Sequence, residues 1–91
     1  MSDGYQRMYV EFYGIPRERA GTARLEVDAN TLGELLRTLA TQMPALGEFI
    51  CKDRLQSAAV ANLNGERFVS DPVTPLNGSD CLLILSADAG G

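Results

Sequence analysis

The chain opens with two segments in which apolar and polar residues alternate. The first runs from Met8 to Tyr13 and the second from Ala23 to Asp28. A repeat of two residues is typical of a strand with one face buried. Ile15-Pro16 does not easily continue a ladder of strand hydrogen bonds, so we predict a loop from Gly14 to Gly21. The two strands and this loop form an opening hairpin.

A helix is predicted after the hairpin. Thr31-Leu32-Gly33-Glu34 fits a capping box, in which the threonine hydroxyl and the glutamate carboxylate satisfy free backbone N–H groups. Pro44 predicts the end of the helix near Met43. One helical face carries an apolar stripe made of Leu32, Leu35, Leu36, Leu39, Ala40 and Met43. Such a stripe indicates core packing far more often than a coenzyme site.

The segment from Pro44 to Ser57 has no clear period. Its apolar residues are consistent with a short helical turn packed on the core: Leu46, Phe49 and Ile50. Lys52-Asp53-Arg54 is predicted to be a solvated loop. The pattern therefore places no regular strand in this segment.

Strands return after Ser57. Ala58 to Leu63 predicts a strand of small side chains, and Asn64-Gly65 is the dipeptide most typical of a tight hairpin. Glu66 to Val69 is the short returning strand, Ser70 to Leu76 is expected to be irregular, and Asn77 to Asp80 is predicted to be a turn. Cys81 to Leu85 is apolar throughout, which predicts a central strand buried on both faces.

This order of elements predicts an α+β fold of the β-grasp, or ubiquitin-like, kind. One main helix covers one face of a mixed sheet of four to five strands, and the last strand pairs parallel with the first. The predicted organisation is a flexible N-terminus over residues 1–7, a β-grasp domain over 8–85 and a flexible C-terminal tail over 86–91.

Composition narrows the classes of function. With 91 residues, 45% of them hydrophobic and 22% charged, the chain fits a single globular domain. Its net charge is -4 and its basic residues are scattered, which argues against nucleic-acid binding. No apolar run is long enough for a membrane span. We expect a cytoplasmic protein with Cys51 and Cys81 as free thiols.

The sequence carries no catalytic machinery that we recognise. It has no histidine and no carboxylates paired at a readable spacing. Neither cysteine has a histidine to activate it. We therefore predict no catalytic residue, no metal site and no bound cofactor.

The last residues, Gly90-Gly91, follow a short polar spacer. A glycine pair is slim enough to enter a narrow tunnel in another protein, and a terminal carboxylate is ionised at neutral pH. The tail is therefore expected to be a handle that partner enzymes activate. An inert, frayed end is the alternative.

Several landmarks together resemble the MoaD/ThiS family of ubiquitin-like sulfur carriers. The similarity covers Met8 to Gly91 and is closest to the small subunit of molybdopterin synthase. The landmarks are Val10-Glu11-Phe12-Tyr13, Ala20-Gly21, Thr31 to Leu36, Ala61 to Glu66, Leu76 to Asp80, and Ala89-Gly90-Gly91. The chain departs from the family in Ser79-Asp80, where an acidic pair is common, and in its polar spacer.

The resemblance implies a carrier cycle. An E1-like adenylating enzyme of the MoeB/ThiF type would use ATP to adenylate the Gly91 carboxylate. A persulfide sulfur donor would displace AMP and leave a thiocarboxylate. A synthase large subunit, or another sulfur acceptor enzyme, would receive the sulfur. Gly90, Ala89 and Asp88 would be recognised as the tail, and Asp88 would either pair with a basic group or stay solvated.

A partner-binding surface is expected on the sheet face opposite the helix, where the alternation places Tyr9 and Tyr13. Exposed aromatic side chains are good interface anchors.

The sequence is also compatible with other functions. The acceptor pathway is molybdopterin biosynthesis by resemblance, with thiamine, cysteine or a specialised metabolite as alternatives. A ubiquitin-like modifier that joins Gly91 to a lysine shares the chemistry up to the adenylate. The third alternative is an inert β-grasp interaction module.

Overall fold

The computed structural model describes residues 7–88. Its seven strands are β1 (Arg7–Phe12), β2 (Arg24–Asp28), β3 (Ile50–Cys51), β4 (Arg54–Leu55), β5 (Ala59–Leu63), β6 (Arg67–Val69) and β7 (Cys81–Ser86). The helices are α1 (Ile15–Ala20) and α2 (Leu32–Gln42), and a 3-10 turn spans Pro44–Leu46. Residues 1–6 and 89–91 of the predicted termini lie outside the described residues.

Five strands form the main sheet in the order β2-β1-β7-β5-β6. β1 pairs antiparallel with β2 and parallel with β7, and β7 pairs antiparallel with β5. The mixed sheet, the single main helix and the parallel pairing of first and last strands confirm the predicted β-grasp fold. The short strands β3 and β4 form a separate hairpin.

The core lies between α2 and one face of the sheet. Its largest fully buried side chains are Met8, Phe12, Leu32, Leu35, Leu36, Leu39, Leu46, Phe49, Ile50, Leu76, Leu82 and Ile84. The stripe predicted from the helical period is therefore a packing face. Leu46, Phe49 and Ile50 also pack on this core as predicted.

Helix α2 begins with the predicted cap in a slightly different form. The Thr31 hydroxyl accepts a hydrogen bond from the Glu34 N–H at 3.2 Å. The Glu34 carboxylate accepts from the N–H of Asn30 at 2.8 Å, one residue before the cap itself. Both donors at the helix start are satisfied, which is the purpose of a capping box.

The predicted loop from Gly14 to Gly21 is wrong, because it contains helix α1. Pro16 lies in the first turn, where its fixed φ suits a helix and its missing N–H costs nothing. Gly21 ends the helix in the left-handed region with φ 76°, and its N–H donates to the Arg17 carbonyl at 3.0 Å.

Two further expectations need correction. Arg54 belongs to β4 rather than to a loop, and Lys52 and Asp53 form the turn of the β3–β4 hairpin. Strand β7 is central as predicted but is not buried on both faces. Leu82 and Ile84 are buried, whereas Leu83 and Leu85 are only half-buried, because α2 covers one face of the sheet only.

The Asn64-Gly65 turn connects β5 to β6 as predicted. Both residues have positive φ, 60° and 72°, and the Glu66 N–H donates to the Leu63 carbonyl at 3.0 Å. Asn64 also fixes the start of β7, since its side-chain oxygen accepts from the Cys81 N–H at 2.8 Å. The turn thereby helps to position the strand that leads to the tail.

Candidate functional site

The sheet surface opposite α2, called here the open face, extends across all five strands of the main sheet. Directly opposed residues of neighbouring strands share a face. The strand register places five residues in one row: Arg24, Glu11, Leu83, Asn62 and Phe68. Val10 and Phe12, which flank Glu11 in β1, point to the other face of the sheet and are buried in the core. The row that contains Glu11 therefore lies on the open face.

The β2 and β1 side of the open face, its charged half, is a network of paired groups. The Arg24 guanidinium lies 4.1 Å from the centre of the Tyr9 ring and its Nε lies 3.9 Å from Glu11 Oε2. Arg7 bonds to Asp28 at 3.2 Å, and this pairing raises the pKa of the Arg7 guanidinium. The predicted residue Tyr9 therefore lies on the open face, beneath an arginine.

Tyr13 lies just beyond the end of β1, and its side chain is 42% exposed. Its hydroxyl donates to Glu11 Oε1 at 2.8 Å. This hydrogen bond, and then the negative charge of Glu11, raise the pKa of the Tyr13 phenol. Tyr9 and Tyr13 are thus both linked to the Arg24–Glu11 pair.

The hydrogen bond from Tyr13 to Glu11 predicts how the Tyr13 phenol titrates. Because the folded pKa is raised, the contact contributes to stability below about pH 10, the usual phenol pKa, and is lost as pH rises through the raised value. A difference titration against Tyr13→Phe isolates this phenol. We expect Glu11→Ala to lower its midpoint, whereas Glu26→Ala leaves it in place. An unchanged midpoint in Glu11→Ala would contradict the contact.

The β7, β5 and β6 side of the open face, its apolar half, is formed by Leu83, Leu85, Val60 and Phe68. The first three are half-buried, and Phe68 is 69% exposed. The side-chain oxygen of Asn62, in the middle of this half, is buried and has no hydrogen-bond partner among residues 7–88. An exposed apolar patch is typical of an interaction surface, and a partner that donates a hydrogen bond to the Asn62 oxygen would satisfy it.

Sequence reasoning missed this apolar half. Phe68 was predicted only as part of a short returning strand, and Leu83 and Leu85 as fully buried. The alternation Arg67-Phe68-Val69 after the Asn64-Gly65 turn was the available signal, since Val69 is buried and Phe68 points the other way.

The tail leaves the sheet beside this apolar half. Leu85 of β7 is opposite Val60 of β5, and the Ala87 N–H then donates to the Ala58 carbonyl at 2.7 Å. Asp88 is exposed and has no ion pair within the described part of the chain. The predicted tail residues Ala89, Gly90 and Gly91 lie outside the described residues.

The described residues hold little other candidate chemistry. Between Arg7 and Asp88, no group of three or more His, Cys, Asp or Glu side chains is placed to hold a metal ion. Burial, and then Glu11, raise the pKa of the Cys81 thiol, which disfavours the reactive thiolate. Both cysteines are free, as predicted. No helix in this stretch has the length and apolarity needed to cross a membrane.

Solved structures match the chain over nearly its whole length, whereas no protein-family model and no curated protein matches it. Small archaeal modifier protein 1 from Methanosarcina acetivorans has a TM-score of 0.77 and 23% identity, over 98% of this chain and 100% of that one. The putative molybdopterin converting factor subunit 1 from Pyrococcus furiosus has a TM-score of 0.74 and 16% identity, over 89% and 97%.

A third match involves an assembly. It is the complex of subunits 1 and 2 of the molybdopterin-converting factor from Helicobacter pylori, with a TM-score of 0.67 and 23% identity, over 94% of this chain and 100% of that one. The predicted resemblance is thereby confirmed in the fold. The chain has the ubiquitin-like β-grasp fold of small archaeal modifier and molybdopterin converting factor proteins.

Proposed function

We propose that the chain is a sulfur carrier whose Gly91 carboxylate is adenylated and then converted to a thiocarboxylate. One observation carries the proposal. The central strand of a β-grasp domain leads directly to a tail that ends on Gly90-Gly91, and the Ala87–Ala58 hydrogen bond fixes where this tail begins. The start of the tail is thus held beside the apolar half of the open face.

The chemistry needs only the carboxylate from this chain. An oxygen of the ionised carboxylate attacks the α-phosphorus of ATP, and pyrophosphate leaves. Sulfur from a persulfide donor then attacks the Gly91 carbonyl carbon and AMP departs. A thiol of the donor enzyme or of the solution then attacks the donor's sulfur in the remaining sulfur–sulfur bond, a disulfide forms on the donor side, and the thiocarboxylate leaves. An E1-like enzyme of the MoeB/ThiF type would supply the ATP site.

The tail is long enough for this role. The three residues after Asp88 span roughly 10 Å when extended, at about 3.3 Å per residue. Glycine at the last two positions adds no side chain that would widen the segment, and Gly90 allows backbone angles closed to other residues. A partner could therefore accept Gly91 in a buried site while the domain stays outside.

The open face is the proposed docking surface for these partners. Its apolar half lies next to the start of the tail, so one protein can bind both. The structurally similar Helicobacter pylori protein is in a complex of two converting factor subunits. We propose a corresponding large-subunit partner for this chain, with molybdopterin biosynthesis as the pathway. The proposed compartment is the cytoplasm, where Cys51 and Cys81 would stay reduced.

Docking is tested by changing Phe68. Phe68→Ser should weaken binding to the adenylating enzyme about tenfold or more, because exposed aromatic side chains are frequent hot spots. The free energy of unfolding should change by less than about 0.5 kcal/mol, since the ring is mostly exposed. Gln42→Ala, on the exposed side of α2, is the matched control. If calorimetry gives equal affinities for the two variants, Phe68 is not part of the docking surface.

A ubiquitin-like modifier is the second candidate function. The similarity to small archaeal modifier protein 1 favours it, and its chemistry is the same up to the adenylate. A lysine amine, instead of a persulfide, then attacks the Gly91 carbonyl carbon.

Adenylation itself is tested by pyrophosphate exchange. Candidate adenylating enzymes are incubated with ATP, labelled pyrophosphate and the full chain. Exchange that depends on this chain supports both carrier and modifier, and lysine-linked conjugates then favour the modifier. An absence of exchange with every adenylating enzyme of the same organism would leave only the inert module.

A further inference from the structure

Strand β6 is an edge of the main sheet that carries little protection against pairing with a further strand. The opposite edge, β2, has three charged side chains, Arg24, Glu26 and Asp28, and charges on an edge strand discourage pairing with another chain. Within β6 only Arg67 is charged, and Phe68 at its centre is 69% exposed. Of the two edges, β6 is therefore the one more open to another strand.

The backbone of Phe68 offers a hydrogen-bond donor and an acceptor at this edge. In an antiparallel pair, the N–H and C=O of one residue point to the same side of the strand, and successive residues alternate. Asn64, directly after β5, donates its N–H to β7 at 2.8 Å, so Ala61 bonds toward β6, where its partner is Val69. Phe68 precedes Val69 and therefore directs its N–H and C=O away from the sheet.

Two copies of β6 are complementary to each other in an antiparallel register centred on Phe68. The two Phe68 residues then lie directly opposite each other, and the N–H of each donates to the C=O of the other. Their rings share the open face, where opposed aromatic side chains stabilise a strand pair. Glu66 of each copy lies opposite Ser70 of the other, so like charges do not oppose each other. The contact has the two-fold symmetry that is usual in dimers of identical chains.

The same register brings opposite charges together. Arg67 lies opposite Val69 of the second copy, and Asp71 of that copy follows Val69 by two residues. Diagonal neighbours of this kind are about 7–8 Å apart, a distance that a long side chain can span. Neither Arg67 nor Asp71 takes part in an ion pair within residues 7–88. By symmetry, two copies form this Arg67–Asp71 contact twice.

A groove with a volume of about 540 Å³ lies at the Ser70 end of the β6 edge. Gln56, Ser57 and Ser70 are among its lining residues and supply polar groups. Because the two copies run antiparallel, the Asn64-Gly65 turn of the second copy comes beside Ser70 of the first. The turn is small enough to lie in the groove, where these polar groups can bind its backbone.

We propose that two copies of this chain associate through their β6 strands, so that their main sheets join into one continuous sheet. The association needs no activation of Gly91 and goes beyond the carrier role. Its contact includes Phe68, which is also the proposed docking residue for partner enzymes. A second copy and a partner therefore compete for the same edge of the open face.

The test begins with the full chain at increasing concentration. Sedimentation equilibrium from about 10 μM to about 1 mM covers the affinities expected for a small interface, and the mass should rise toward that of a dimer. Amide hydrogen exchange followed by NMR locates the contact. We expect the Phe68 N–H to become protected as concentration rises. The Glu26 N–H, which points outward from the β2 edge, should exchange at the same rate throughout.

Charge reversal tests the register. Arg67→Glu and Asp71→Arg each turn both intercopy contacts into like-charge pairs, so each variant alone should associate about tenfold or more weakly than wild type. An equimolar mixture of the two variants should recover the association, because both contacts of a mixed pair again join opposite charges. Arg17→Glu, at an exposed position of α1, changes the net charge as Arg67→Glu does and should associate like wild type. Circular dichroism confirms that each variant folds.

Three results would overturn the β6 dimer. They are a full chain that stays monomeric at every concentration, a dimer in which the Phe68 N–H stays unprotected, and folded charge-reversal variants whose mixture associates no better than either alone. The hydrogen-exchange measurement uses the unaltered chain, so it decides the matter even if a variant fails to fold. Failure of the proposed carrier role looks different, since pyrophosphate exchange would then be absent while the dimer still forms.

Discussion

Deleting Gly91 is expected to abolish adenylation and leave the fold unchanged. The start of the tail is fixed by the Ala87–Ala58 hydrogen bond, so the loss of one residue withdraws the carboxylate by about 3.3 Å. Misplacement of a reacting group by 1 Å can already cost about a hundredfold in rate. Among residues 7–88 the last core residue is Ile84, so the free energy of unfolding should match wild type.

A variant that restores the length of the tail separates the effect of tail length from the effect of its residue sequence. A glycine inserted after Asp88 in the Gly91 deletion returns the terminal glycine to its original distance from β7. We expect this insertion to recover much of the pyrophosphate exchange. If the deletion alone exchanges pyrophosphate as fast as wild type, the position of the carboxylate does not matter and the proposed use of the tail fails.

Leu36→Ala is expected to destabilise the domain strongly. The side chain is completely buried in the cluster shared by α2 and the sheet. Removal of a buried leucine typically costs about 2–5 kcal/mol, which is a large part of the roughly 5–15 kcal/mol that stabilises a domain.

The measurement is the midpoint of chemical denaturation. Thr41→Ala, at an exposed position of the same helix, is the control and should change the free energy of unfolding by less than about 0.5 kcal/mol. A Leu36→Ala midpoint equal to that of Thr41→Ala would show that the stripe does not hold the helix on the sheet.

Most of the fold could be predicted because its main elements have strong local signals. The alternation in β1 and β2, the stripe of α2 and the Asn64-Gly65 turn each reflect one physical cause that operates within a short stretch. Helix α1 had no such signal. It has six residues, and its ends depend on the backbone of Gly14 and Gly21, with φ of 65° and 76°.

The β3–β4 hairpin and the open face depend on tertiary contacts. Each strand of the hairpin has two residues, too few for a period, and packing of Ile50 into the core helps to hold it in place. The apolar run of β7 suggested burial on both faces. Only the layer arrangement shows that Leu83 and Leu85 are left half-buried beside Phe68.

The candidate site was therefore predicted in part. The alternation of β1 placed Tyr9 on the open face, and Tyr13 proved to be linked to the same Arg24–Glu11 pair. The alternation Arg67-Phe68-Val69 indicates only that Phe68 and Val69 point to opposite faces, and the pairing of Asn62 with both Phe68 and Leu83 places Phe68 on the open face. The role of Gly90-Gly91 comes from chemistry and resemblance, and remains a proposal.

Intact-mass spectrometry of the full chain tests the central proposal most directly. The chain is incubated with ATP, a persulfide sulfur donor and the adenylating enzyme that gives pyrophosphate exchange. Our account predicts a gain equal to the replacement of one oxygen by sulfur, located at Gly91 by fragmentation and absent without ATP. An unchanged mass in a reaction that consumes ATP, or a sulfur atom found at Cys51 or Cys81 instead, would contradict it.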